Sequence, residues 1–352
     1  GIWIRTFQQD DGYLRAVLAT ALVSLAAAPM GNNITEMIAV AAVLPIVFIV
    51  VVIKCSVRGD LSQAARIVVA GMATVLAWVI VNLFWIIPVV GGVSRAASGD
   101  DIATFKQISI QFLEGQSLYT PLSNVVRILG DWTFYQGLVD PYRTFSATFT
   151  ENPLFIALGY ALTVLVAVGS LWGRGVSKGP FVVLAILGLV LSTGLNAPWG
   201  GAYAWAFENV PGGWIVRSPW FKFMLWTVLG YAVLIGLATP IVAGLAVRMV
   251  TYARQVRNDQ RRRASAVLAV AIAILVGPVY AYPFTLGHGF ATASERTFLT
   301  PNHAHIPPYV DEAGSWFDEQ AGTDRVMTIP GDSPWLYDWG YGGFGSILQW
   351  RT

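Results

Sequence analysis

The segment Pro153–Trp172 contains no charged side chain. A helix of about 20 apolar residues is the length needed to cross the ~30 Å hydrocarbon core of a bilayer. Six further stretches have the same character: Tyr13–Met30, Ile34–Ile53, Ala65–Val89, Pro180–Leu195, Trp220–Val247 and Ala264–Phe284. Their interiors hold no charged residue. Tyr13–Met30 and Pro180–Leu195 are the short ones and also read as tilted or re-entrant segments. The pattern predicts an all-α polytopic membrane protein of about seven transmembrane helices.

Composition supports this reading. Charged residues make up 12% of the 352-residue chain and hydrophobic residues 55%. A soluble domain carries about 25% charged residues, so two soluble domains lack the polar surface they need. Disorder requires the opposite balance of charge and hydrophobicity. A single cysteine, Cys55, excludes an internal disulfide framework, and a net charge of +2 gives no case for nucleic acid as a partner. The chain opens without Met and closes on Trp350-Arg351-Thr352 with no evident final element. A piece of a longer protein is expected.

Basic residues set an expected orientation. Of 22 Lys and Arg, 13 fall in one set of short loops: Arg5, Arg15, Lys54, Arg58, Arg66, Arg174, Lys178, Arg248, Arg254, Arg257 and Arg261–Arg263. Loops enriched in this way face the cytoplasm. The expectation is a plasma-membrane protein with its N-terminus cytoplasmic and its C-terminus extracytoplasmic. Residues 1–284 then form the transmembrane domain, with outer loops at 91–152 and 196–219. Residues 285–352 begin an extracytoplasmic α+β domain, with a helix over Val310–Gln320 and a strand over Arg325–Pro330. Of the 20 acidic residues, 16 lie on the outer side, counting Glu36 at the start of the second span. Recognition or chemistry is therefore expected on that face.

The first outer loop shows Ile102, Phe105, Ser109 and Phe112 at near-helical spacing. Ser123–Gly130 reads as a short helix capped by Ser or Asn and ended by a left-handed Gly130. Asp131, Trp132 and Tyr135 follow. Such helices lie on the membrane surface or pack against the bundle. The second outer loop runs through Asn196–Gly201 to Val210–Phe223. Pro219 suits the first turn of the next helix. Arg217 and Lys222 bracket its mouth, where free N–H groups and the helix dipole already favour an anion. A guanidinium fork and an ammonium there suit phosphate. Both side chains could equally reach lipid headgroups. Trp199, Trp214, Trp220 and Phe221 add flat apolar surfaces that suit sugars and isoprenoid chains.

Other patterns carry less. His288, or His303 and His305 with Asp311, lack further nameable ligands, so no metal site is assigned. Phosphate-binding glycine loops and nucleophile motifs are absent, and the paired glycines 91–92, 200–201, 212–213 and 342–343 read as turns.

The residues Arg217-Ser218-Pro219-Trp220-Phe221-Lys222-Phe223, preceded by Val210-Pro211-Gly212, resemble a signature of large GT-C class membrane glycosyltransferases. So do Asn124–Trp132 and the stretch Pro308–Tyr341. The chain resembles arabinofuranosyltransferase-like and related polytopic envelope proteins of bacteria and archaea. The resemblance implies transfer of a sugar from a polyprenyl-phosphate donor to a glycan, lipid or protein acceptor on the outer face, in cell-envelope polysaccharide biosynthesis. It implies Arg217 and Lys222 on the donor phosphate, and Arg127, Asp131, Trp132, Trp199, Trp214 and Trp220 toward the acceptor or its loop. An acidic base or ligand for a divalent cation belongs, in this family, to an outer loop that would precede Gly1. Within this chain Glu36 is the nearest acidic candidate, and a helix-start carboxylate favoured by the dipole is its other reading. A transporter or flippase of lipid-linked sugar, and a non-catalytic envelope scaffold, are the alternatives.

Overall fold

The computed structural model describes residues 2–27, 34–97, 102–135, 145–174, 178–210, 212–251, 259–260, 263–264, 266–269, 281–285, 307–320, 335–336 and 342–343. Their architecture is helical. In chain order the helices are α1 Ile2–Gln9, α2 Tyr13–Ala27, α3 Ile34–Val57, α4 Leu61–Ala97, α5 Ile102–Ser117, α6 Leu122–Val125, α7 Ser146–Thr150, α8 Pro153–Trp172, α9 Lys178–Ser192, α10 Gly200–Asn209, α11 Pro219–Thr251, α12 Tyr282–Thr285 and α13 Pro308–Gln320. Single 3₁₀ turns cover Trp132–Phe134 and Gly213–Val216. The two-residue strands β1, Trp335–Leu336, and β2, Gly342–Gly343, pair antiparallel.

Among the described residues, four helices are long and apolar enough to cross a membrane: Ala39–Val57 of α3, Leu61–Pro88 of α4, all of α8, and Pro219–Met249 of α11. α2 and α9 are apolar but, at 15 residues each, shorter. At 1.5 Å per residue each spans about 22 Å. The outward faces carry Leu14, Leu22, Leu76, Val164 and Met249, all well exposed within the protein. Water does not tolerate so continuous an apolar surface on a monomer, whereas hydrocarbon does.

The expected boundaries meet the structure closely at α8 and drift elsewhere. α9 starts two residues before the expected Pro180 and stops at Ser192 instead of Leu195, because Gly194 turns left-handed at φ 57°. The expected span Ala264–Phe284 lies mostly outside the described residues, as does the expected strand Arg325–Pro330. The helix expected over Val310–Gln320 is α13. Three glycine pairs are not turns: Gly91-Gly92 continue α4, Gly200-Gly201 open α10, and Gly342-Gly343 form β2.

The chain divides into two compact units. The first comprises Gly1–Asp131 and Ala157–Ile274, the second Trp132–Ile156 and Leu275–Thr352. In the second, Phe149 collects the rings of Phe134, Phe145, Phe155 and Tyr282. The Tyr282 hydroxyl donates to Thr148 Oγ1 at 2.8 Å.

In the first unit, α3 and α4 form a hairpin with a residue-level cause. Asp60 N–H donates to Cys55 O at 3.0 Å and Gly59 N–H to Ser56 O at 3.0 Å. Gly59 takes φ 80°, the left-handed position such a helix end demands. Asp60 then caps α4 by accepting from Gln63 N–H at 3.0 Å. Trp3, Phe7 and Phe48 pack edge-on beside this hairpin, and Trp3 Nε1 donates to Thr20 Oγ1 at 2.8 Å.

Contacts fix the direction of each helix. Arg66 at the start of α4 pairs with Asp10, just before α2, and Asn82 reaches Ser24 further along both. α2 and α4 therefore run the same way. α9 and α11 run oppositely: a Cβ on Gly188 would lie 2.5 Å from Thr227 N, and one on Gly230 would lie 2.6 Å from Phe181 O. Trp226 Nε1 donates to Ala39 O at 2.7 Å, so α3 and α11 start at the same end. The helix ends bearing Lys54, Arg58, Arg66, Lys178 and Arg248 consequently gather at one end of this unit. The starts of α3 and α11 and the end of α9 gather at the other.

Candidate functional site

That second end is built on a polar knot. Ser117 closes α5 and Asn196 follows α9. Asn196 Nδ2 donates to Ser117 O at 2.6 Å, to Thr193 O at 3.0 Å and to Thr120 Oγ1 at 3.2 Å. Thr120 Oγ1 donates to Thr193 O at 3.0 Å, and Leu195 N–H donates to Ser117 Oγ at 3.1 Å. Thr120 and Thr193 are fully buried. Ser117 O and Thr193 O, carbonyls at the two helix ends, thus have donors, and α5 is tied to the end of α9.

The knot fixes which face of α5 turns inward. Ser109, Leu113, Gln116 and Ser117 are buried, at i, i+4, i+7 and i+8, while Phe112 is 43% exposed. Of the residues noted at near-helical spacing, Ser109 is buried and Phe112 is exposed. The difference has a use: Phe112 is the platform for Arg217, whose guanidinium carbon stands 5.2 Å from the ring centroid. A cation over an aromatic face is held electrostatically without losing its charge.

The segment before α11 positions Arg217. Gly212 takes φ 79° and opens the 3₁₀ turn Gly213–Val216, which Arg217 ends. Tyr203 of α10 donates its hydroxyl to Val216 O at 2.8 Å. Burial raises the ionisation of that phenol well above its ordinary value, so it remains a donor. Trp214 packs with Leu113, Tyr203 and Phe207. Pro219 starts α11, as expected, and Lys222 N–H closes the first turn on Ser218 O at 3.3 Å. The Lys222 side chain is 5% exposed. It lies within protein instead of along the lipid-facing surface.

The loop motif and the α11 motif are brought together. Val125, Trp220 and Met224 form one buried cluster. A Cβ on Gly130 would come within 2.3 Å of Trp220 Cε3. α6 is shorter than the expected helix and begins after Pro121 with no side-chain cap. The left-handed residue is Ile128, at φ 61°, not Gly130. Gly130 is needed for space and not for its backbone angle. Arg127 is buried and stacks over Tyr160 at 5.4 Å, beside Gly159. Val126 O accepts from Thr163 Oγ1 at 2.8 Å and Tyr231 OH at 3.2 Å. Arg127 thus lies in the joint between α6, α8 and α11.

The remaining expected residues separate. Asp131 ends the first segment of the first unit, and Trp132 begins the second unit in a 3₁₀ turn. Trp199 caps α10 and is 46% exposed. Glu36 lies in the first turn of α3, one turn before Ala39; Lys222 lies one turn before Trp226, to which Ala39 O is bonded. Their backbones therefore stand at the same end of adjacent helices, while the Glu36 side chain lies outside the described residues. His288, His303 and His305 also lie outside them.

Sequence reasoning missed a cleft of about 280 Å³ between α5 and the α10–3₁₀ connection. It is lined by Lys106, Ile110, Phe207, Glu208, Asn209, Val210, Gly212 and Trp214. Of these, Val210, Gly212 and Trp214 carried a sequence signal. Lys106 and Glu208 are ordinary surface residues until the fold sets them on one cleft. The arrangement can hold an anion at the mouth of α11 and a small polar molecule beside it. No family model, curated protein or solved structure matches this chain.

Proposed function

We propose that this chain is part of a multi-pass plasma-membrane glycosyltransferase that moves a sugar from a polyprenyl-phosphate donor to an envelope acceptor. The reading also takes α2, α9 and the Ala264–Phe284 segment as spans, and the basic helix ends as cytoplasmic. The observation that carries it is the mouth of α11. Arg217 is held over Phe112, Lys222 is enclosed four residues into a 33-residue apolar helix, and α11 begins between them. A phosphate there meets two cations and free N–H groups, while its prenyl chain lies along the exposed apolar faces of the spans.

The chemistry is substitution at the anomeric carbon. An acceptor hydroxyl oxygen forms the new bond to that carbon, and the carbon–oxygen bond to phosphate breaks with its electron pair. Polyprenyl phosphate leaves, and the hydroxyl proton passes to a carboxylate. Cations at the phosphate stabilise the charge that develops as the bond breaks. Glu36, in the first turn of α3 at the same end as the start of α11, is the candidate for that carboxylate.

The test is transfer of radiolabelled sugar from polyprenyl-phosphate donors by membranes carrying the full-length protein. The parent should transfer, and Arg217→Ala/Lys222→Ala at equal protein level should not. Absence of transfer across donor sugars, with the intact lipid-linked sugar crossing the membrane instead, would establish the flippase reading.

A further inference from the structure

The α5–α10 cleft has a lining that selects for one kind of molecule. Lys106 and Glu208 stand on it with opposite charge, and both are exposed. Among the described residues neither takes part in an ion pair, the Arg66–Asp10 pair being elsewhere. An anion entering would meet the Glu208 carboxylate, and a cation would meet the Lys106 ammonium. A neutral molecule rich in hydroxyls meets both favourably: its O–H groups donate to the carboxylate and its oxygens accept from the ammonium. The remaining walls are Ile110, Phe207 and Trp214, apolar surfaces for the C–H face of a ring.

Size and stiffness agree. About 280 Å³ equals roughly nine water volumes at ~30 Å³ each, room for a sugar ring or two and not for a folded partner. Phe207 is 6% exposed and belongs to the core cluster with Leu113 and Tyr203. Asn209 is oriented by its Nδ2, which donates to Trp205 O at 2.8 Å. The Phe207 wall and Asn209 are thus held in place before binding, which lowers the ordering cost there. Trp214 stands only three residues before Arg217, in the turn that Arg217 ends.

We infer that this cleft is a subsite for a neutral saccharide, the acceptor end of a glycan, held between Lys106 and Glu208 against Trp214. The inference rests on the transferase reading for the word acceptor, and on the cleft itself for the saccharide.

The test uses the full chain in lipid nanodiscs. The probes are neutral oligosaccharides of hexopyranose and pentofuranose types, with binding followed by saturation-transfer NMR. Polyprenyl phosphate binding is measured separately. The parent should bind a saccharide. Glu208→Gln and Lys106→Met, both at exposed positions that leave the core untouched, should each weaken it about tenfold, the cost of a charged hydrogen bond. Polyprenyl phosphate binding should be unchanged in both. Saccharide binding by the parent that neither substitution weakens would overturn the cleft assignment. A parent that binds polyprenyl phosphate but no saccharide would overturn this inference and leave the donor site standing. A parent that binds saccharide but not polyprenyl phosphate would do the reverse. Lys106- and Glu208-dependent binding of phosphatidylethanolamine vesicles, with no saccharide bound, would reassign the cleft to a zwitterionic headgroup.

Discussion

Gly130 and Trp220 are in contact across the first unit so closely that no side chain fits between them: a Cβ on Gly130 would fall 2.3 Å from Trp220 Cε3 and 2.6 Å from Cζ3. The indole is 6% exposed and cannot swing into solvent. Gly130→Ala should therefore destabilise by about 1–3 kcal/mol, the usual range for overpacking. Thermal unfolding in detergent measures it. Trp220→Leu in the same chain should recover part of the loss, and no recovery would place the cause in the backbone.

Asn196 holds two elements distant in sequence. Removing its amide in Asn196→Ala leaves Ser117 O and Thr193 O without that donor. Both carbonyls keep donors from Thr120, so the cost is that of ordinary hydrogen bonds, about 0.5–1.5 kcal/mol. Hydrogen exchange should accelerate at the end of α5 and at Leu195 together, which separates loss of the knot from general unfolding.

Arg217→Lys keeps the charge and loses the planar contact with Phe112. Lys cannot fork to phosphate. On the transferase reading, KM for donor should rise about tenfold with kcat little changed, as expected for loss of a bidentate contact. Phe112→Leu should reproduce part of that effect. Equal activity in both variants would remove Arg217 from the donor site.

Acid should find Asp10. The Arg66 guanidinium, and then the Tyr13 hydroxyl, hold its carboxyl below the ordinary value of 3.8. A carboxyl lowered in the folded state contributes stability that is present above its unfolded value. That contribution is lost as pH falls through the lowered one. Asp10→Asn should consequently be less stable than the parent at neutral pH and match it in strong acid. The difference should shrink in high salt, because the pair is partly exposed. A constant difference across pH would rule out the ion pair as its source.

The four long apolar helices were readable because apolar length is a one-dimensional property. α8 runs from Pro153 to Trp172, within the uncharged stretch between Glu151 and Arg174. Pro219 was readable for the same local reason. What escaped is what packing decides. The inward face of α5 is set by the knot at Asn196, far along the chain, so spacing alone does not show that Leu113 is buried and Phe112 exposed. Gly130 looked like a helix terminator, and only the position of Trp220 reveals its role. The two cations at α11 were legible from sequence, but the burial of Lys222 and the stacking of Arg217 were not. Lys106 and Glu208, a century of residues apart, have no pattern to be seen.

Gly188 and Gly230 have a wider consequence. Each glycine lets the opposite backbone of the α9–α11 pair approach where a side chain would stand, at 2.5 Å from Thr227 N and 2.6 Å from Phe181 O respectively. No deformable layer separates these two helices at those points, so they tilt and translate as one stave. The seam with α3 is different. There Ala42, Val43, Ile46 and Val47 meet Phe181, Leu184 and Trp226 through side chains, which can change rotamers and slide. Parting α9 from α11 therefore means separating two backbones, whereas displacing α3 along the pair works against side chains and the Trp226–Ala39 hydrogen bond.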